Sequence, residues 1–301
     1  MSTGGIGSPR HWGRVMSAMV TPFDAQGRLD LDAAQRLARW LVGHGNDGLV
    51  VAATTGEGAS LTDPEHRDLV RAVCEAVNVP VLAGAGSADT AHAASLAAPC
   101  QALGAAGVLV VAPYYARPPQ AGIEAHFRAV AGATRLPVML YDVPLRTGRR
   151  VDEAVLLRLI REVPNIVGFK DATGDPAAAA ALVAAAGEHF DLYAGDDTLT
   201  LPLLATGACG VVGTTTHWNG PRFQQMIAAF AAGHVERARA INAEMLASFR
   251  YVNGDTSVYA MSVKAMLETI GQPVGRCRLP YPDAPAEVRA MAQEVWRQLQ
   301  G

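Results

Sequence analysis

The chain has 301 residues, half of them hydrophobic, a formal net charge of −3 and an isoelectric point near 6.2. That is enough apolar sequence for a large core, and the near-balanced charge gives no reason to expect nucleic acid or an anionic membrane as a partner. The four cysteines, Cys74, Cys100, Cys209 and Cys277, form no CxxC pair and the eight histidines no HxxxH or HExxH set, which argues against a metal site of close ligands and fits free thiols in a reducing cytoplasm.

Taken from the start, residues 1–11 are rich in Gly and Ser, lack an apolar signal region and read as a loose tail. Eight short apolar, β-branched runs follow, at 15–20, 48–53, 79–83, 108–112, 138–141, 166–169, 191–194 and 210–213. From the second onward they begin 19 to 31 residues apart, which is close to one strand-helix unit each. Between them the apolar residues recur at helical spacing, as in Leu31, Ala34, Leu37, Ala38 and Leu41. Another helix opens on Thr62-Asp63-Pro64-Glu65, a capping-box spacing with Pro in the first turn. The longest apolar run, 177–186, is alanine-dominated and too short to span a bilayer, so it reads as a packed helix of a soluble protein.

Eight such units with no break in composition predict a (β/α)8 TIM barrel over residues 12–233. A doubly wound sheet would need a Gly-rich turn after the first strand, and that strand ends Thr21-Pro22-Phe23 instead. Beyond Thr216 only helical patterning continues, so residues 234–301 are expected to form a C-terminal helical appendage.

Only two of the 25 basic residues are lysines, Lys170 and Lys264. Arg stays protonated, whereas a desolvated Lys amine can lose its proton and attack a carbonyl. Lys170 follows the apolar run Ile166-Val167-Gly168-Phe169, at the end of a buried strand, where a lysine either snorkels to solvent or titrates, with Phe169 and Val167 expected to help furnish the dry pocket that a neutral amine needs. In a barrel of this kind the chemistry collects at the C-terminal strand ends. Those ends carry Thr54-Thr55-Gly56-Glu57, Pro113-Tyr114-Tyr115, Tyr141-Asp142-Val143-Pro144-Leu145-Arg146-Thr147, Lys170, Gly195-Asp196-Asp197 and Gly210–Thr215. One amine, several phenols and hydroxyls, and one arginine suit carbonyl chemistry through an imine, while no His–carboxylate pairing for serine-type catalysis is present.

These motifs, in order on successive strands between about Val15 and Leu279, resemble the pyruvate-dependent class I aldolases grouped with N-acetylneuraminate lyase, and within them the dihydrodipicolinate synthase branch. The resemblance implies that Lys170 forms a Schiff base with pyruvate, with no other cofactor. It implies that Tyr141 carries protons beside Lys170, and that Thr54 links Tyr141 to a Tyr115 supplied by the neighbouring subunit of a dimer or tetramer. Thr55, Gly195 and backbone near Val212 would form the pyruvate site, and Arg146 would grip the carboxylate of L-aspartate-4-semialdehyde. A sugar-acid aldolase is the alternative within the group, and a catalytically silent keto-acid-binding barrel the alternative outside it. Asp196 and Asp197 read as helix caps, His217 as a loop residue, and Lys264 as a packing or salt-bridge lysine.

The sequence departs from the group at Ala53, where a glycine is usual, at Asp142, where Asn is common, and at Ala116, where Asn is common. A further departure concerns feedback by lysine. Relatives that are inhibited bind the effector through polar residues at positions that here are Gly58, Ala59, Asp63, Ala88 and His92. The amide and carboxylate that would grip its charged ends are missing at Ala88 and His92. The enzyme is therefore expected to be insensitive to L-lysine, and inhibition at sub-millimolar lysine in a steady-state assay would refute this.

Overall fold

The computed structural model describes residues 11–253 and 259–300. Eight parallel strands close a barrel in sequence order: β1 (Val15–Ala18), β2 (Gly48–Val51), β3 (Val81–Gly84), β4 (Gly107–Val111), β5 (Val138–Asp142), β6 (Ile166–Asp171), β7 (Asp191–Ala194) and β8 (Gly210–Gly213). Around them run α1 (Leu31–Gly43), α2 (Asp63–Ala76), α3 (Thr90–Ala97), α4 (Gln120–Gly132), the single turn α5 (Pro144–Thr147), α6 (Glu153–Glu162), α7 (Pro176–Ala186), α8 (Thr200–Ala205) and α9 (Thr216–Ala231). Three further helices follow, α10 (Val235–Val252), α11 (Tyr259–Thr269) and α12 (Ala286–Gln300). Each of the eight expected runs overlaps a strand, and the Thr62–Glu65 capping box forms as read. The tail reading for residues 1–10 lies outside the described residues. His11 donates its backbone N–H to Asp191 Oδ2 at 3.2 Å, so the described chain begins anchored to β7.

Alternation along the strands divides the core in two. Outward residues such as Val51, Ala83, Val110 and Leu140 meet the helices, while Met16, Val50, Leu82, Leu109, Met139, Tyr193 and Val212 fill the barrel interior. Trp12 plugs the interior from the N-terminal end. Gly168 is a glycine for this reason, because a Cβ there would stand 2.8 Å from the Trp12 ring. The filled interior leaves chemistry only the C-terminal mouth.

The later helices are not a passive addition. In α11, buried Lys264 places Nζ 2.7 Å from Glu57 Oε1, in the turn after β2, and 2.8 Å from the Arg276 carbonyl. Glu57 also accepts the Arg278 N–H at 2.8 Å, so two points of the C-terminal segment hold one side chain. The turn needs holding, since non-glycine Ala52 and Glu57 take φ of 55° and 53°, in the sparsely populated left-handed region. Ala53, the departure from glycine, is not one of the strained residues, and its partly buried methyl packs on the barrel interior.

Candidate active site at the barrel mouth

Lys170 and Tyr141 are lateral partners in the β5–β6 register, and the Lys170 ammonium lies 4.3 Å from the centre of the Tyr141 ring. Lys170 is 4 % exposed, and burial pulls its amine down to about 8. Asp197 opposes that shift and the charge of Arg146 adds to it. The dry surroundings are not those the sequence suggested. Phe169, one residue from the lysine, points outward into the helix layer, as strand alternation requires. The apolar walls beside Lys170 come instead from Val143 and Ala172, together with the Tyr141 ring.

These groups bound a cavity of about 50 Å³ that is also lined by Thr54, Thr55, Gly195, Asp196, Thr214 and Tyr259. Burial pushes the ionisation of the Tyr141 phenol far up, and Thr54 beside it opposes the shift. Gly195 must lack a side chain, because a Cβ would sit 2.9 Å from Lys170 Cγ. Of the residues expected to form the pyruvate site, Thr55 and Gly195 line this cavity and Val212 does not. It is buried in the barrel interior, paired with Met16, and Thr214, two residues on, lines the wall instead.

A larger cleft of about 580 Å³ shares Thr54, Tyr141 and Val143 with the first cavity and runs past Arg146 to Tyr114, Tyr115, Leu279 and Tyr281. Arg146 sits on the single turn α5, whose Pro144 opens it and whose Gly148 closes it with φ of 74°. Its guanidinium stacks 4.5 Å from the centre of the Tyr259 ring. Among the described residues no carboxylate lies within ion-pair distance of it. Tyr115 is 93 % exposed with φ of 68°, and Leu145 and Leu279 are 89 % and 82 % exposed. In a single chain Tyr115 is thus held out of the cavity that Lys170 occupies.

Two residues, Asp197 and His217, correct the sequence reading. Asp196 caps the short turn that follows it by accepting the Thr198 N–H, as expected. Buried Asp197 does not cap that turn; its carboxylate accepts the backbone N–H groups of Thr214 and Thr215 and fixes the loop after β8. His217 lies in α9, fully buried between the Thr214 carbonyl and the Val20 N–H, with burial lowering its imidazole to about 4. It is a neutral structural bridge and not a loop residue. Tyr259 was not anticipated at all, since it opens a helix far along the chain and no local motif marks it.

The sequence pattern of the Dihydrodipicolinate synthetase family matches residues 11–299. The chain is similar to 4-hydroxy-tetrahydrodipicolinate synthase of Acidothermus cellulolyticus, 49 % identical over 95 % of this chain and 92 % of that protein. It is similar to the enzyme of the same name from Moorella thermoacetica, 46 % identical over 92 % of this chain and 94 % of the other. The crystal structure of the synthase from Cyanidioschyzon merolae with lysine bound superposes with a TM-score of 0.94, at 40 % identity, covering 97 % of this chain and 99 % of that one. With the barrel, the mouth geometry and these likenesses in agreement over nearly its whole length, the chain belongs to the dihydrodipicolinate synthetase family.

Proposed function

We propose that the enzyme condenses pyruvate with L-aspartate-4-semialdehyde, with loss of water, to give 4-hydroxy-tetrahydrodipicolinate, the reaction named for its relatives. The observation that carries this reading is a desolvated amine and a buried phenol in one small cavity, with an arginine in the adjoining cleft that has no carboxylate partner among the described residues. Neutral Lys170 attacks the ketone carbon of pyruvate, and water leaves as the imine forms. Loss of a methyl proton gives the enamine, whose carbon attacks the aldehyde of the semialdehyde and restores the imine. The substrate's own amino group then adds to that imine carbon and displaces Lys170, closing the ring and freeing the lysine. Tyr141, against the amine and beside Thr54 in the same cavity, carries protons in both stages. Thr55 and the backbone beyond Val212, where Thr214 lines the wall, bind the pyruvate carboxylate, while the bare backbone at Gly195 leaves room for Lys170. The chemistry rests on this covalent imine and asks for no added cofactor.

Arg146 separates this reading from sugar-acid cleavage. A planar fork suits a carboxylate bidentately, and the semialdehyde carries a carboxylate where a sugar-acid aldehyde carries hydroxyls. Tyr115 completes the relay from a neighbouring subunit, in a dimer at least and a tetramer by family analogy. The exposure of Tyr115 and Leu279 along the same cleft supports a partner on this face. Among the described residues no helix is long and apolar enough to cross a membrane. We place the enzyme in the cytoplasm, in keeping with its free thiols. The lysine-insensitive reading gains support from His92, whose ring is already engaged by Asp63 Oδ1 at 2.9 Å and Ser87 Oγ at 3.1 Å.

The reactive form of Lys170 is the neutral amine, so imine formation should rise as pH increases through about 8 and level off above it. Borohydride trapping of the pyruvate adduct between about pH 6 and 10 reads this directly, and a midpoint near the ordinary 10.5 would show that Lys170 is not desolvated in solution. Replacing Arg146 with Ala should raise the semialdehyde KM roughly ten- to hundredfold and leave pyruvate trapping intact. An unchanged semialdehyde KM would remove the acceptor assignment. Chains carrying Tyr115→Phe and Lys170→Ala, each inactive alone, should regain about half the native activity in mixed dimers, because one site of each pair is then whole. No recovery would mean that Tyr115 acts within its own chain or not at all.

A further inference from the structure

The arginine that we assign to the acceptor carboxylate rests on an aromatic ring from outside the barrel. Tyr259, the first residue of α11, lies against the Arg146 guanidinium, 4.5 Å from ring centre to Cζ, and also lines the cavity that holds Lys170. Arg146 needs such a support. It stands on a four-residue turn, exposed, with no carboxylate partner among the described residues, so its long side chain would otherwise sample many rotamers. A guanidinium has two flat faces and an edge of N–H donors. Stacking on a ring uses a face and leaves the edge free to bind a carboxylate bidentately.

The ring is itself held. Tyr259 is half-buried, and five residues on, Lys264 ties the same helix to Glu57 in the turn that carries Thr54 and Thr55. One helix therefore sets the distance between the pyruvate end of the cavity and the arginine above it. Burial raises the phenol of Tyr259 and Arg146 opposes the shift, which agrees with a neutral tyrosine beside a permanent cation.

We propose that Tyr259 is a positioning residue for acceptor specificity, its ring face presetting Arg146 so that the guanidinium edge meets the carboxylate of an aldehyde acid bound beside the Lys170 enamine. This rests on the assignment of Arg146 made above. It adds that recognition of the acceptor depends on α11 and not on the barrel alone.

The test is steady-state kinetics of Tyr259→Phe, Tyr259→Leu, Arg146→Ala and the Arg146→Ala/Tyr259→Leu double variant, with borohydride trapping of pyruvate on each. Tyr259→Leu should raise the semialdehyde KM about five- to tenfold while pyruvate KM and trapping stay native. Tyr259→Phe, which keeps the ring face, should stay close to native. In the Arg146→Ala background the leucine substitution should add nothing, because the group it positions is gone. If Tyr259→Leu does not fold, Tyr259→Gln carries the same expectation. A native semialdehyde KM in the leucine or glutamine variant overturns the proposal, as does a phenylalanine variant as impaired as leucine, or effects that add in the double variant. Should Arg146→Ala itself leave the semialdehyde KM unchanged, the acceptor assignment fails first, and this result is distinct from failure of Tyr259 alone.

Discussion

Everything at the barrel mouth follows from the need to keep one amine dry. A lysine in water is protonated at neutral pH and cannot attack a ketone. Taking the charge out of solvent reverses that preference, and the barrel does so by sealing its interior from below and walling Lys170 with Tyr141, Val143 and Ala172. Asp197 opposes the effect, yet its carboxylate is occupied by the N–H groups of Thr214 and Thr215, so it stabilises the lysine through the field and not through an ion pair. The outcome is an amine at about 8, low enough to be partly neutral at working pH and basic enough to remain a good nucleophile.

Much of this was legible in the sequence, and what was not has a common cause. Strand and helix order could be read because period-2 and helical patterns are local, and the strand ends gave nearly all of the residues that line the cavity. Errors arose where three-dimensional direction decided. Phe169 adjoins Lys170 in sequence, which suggested a wall for the amine, but neighbouring residues on a strand face opposite ways and Phe169 packs against the helices. Val212 fell short of the cavity for a similar reason of depth, with Thr214 taking the place at the rim. Asp197 looked like a cap because a carboxylate before a helix usually is one. Its actual partners lie 17 and 18 residues away, across the gap between β7 and β8. Tyr259 gave no local signal, since an aromatic residue at the start of an amphipathic helix reads as packing until the fold brings it under Arg146.

The C-terminal helices, which the sequence presented as an appendage, act on the site at both of its ends. Through Tyr259 they support the acceptor arginine, and through Lys264 they hold Glu57 and with it the strained turn of Thr54 and Thr55. A buried ion pair is weak evidence of net stability, because desolvation offsets most of the attraction. Its value lies in geometry. Glu57 has a left-handed backbone, accepts the Arg278 N–H, and meets Lys264 from another helix, so the pair fixes where the turn stands relative to α11.

The two lysines of the chain mark the two outcomes open to a buried amine. Both are about equally hidden, at 4 % and 5 % exposure, and burial lowers both. Lys264 has a carboxylate at 2.7 Å and a carbonyl at 2.8 Å, which together stabilise its charge and make it a structural cation. Lys170 has an aromatic face at 4.3 Å and no described carboxylate at ion-pair distance, so its neutral form is the one its surroundings favour. In a sequence that uses arginine for nearly every other positive charge, burial alone therefore does not make a lysine reactive. What separates the two amines is the missing partner, and that absence at Lys170 leaves room for a substrate carbonyl.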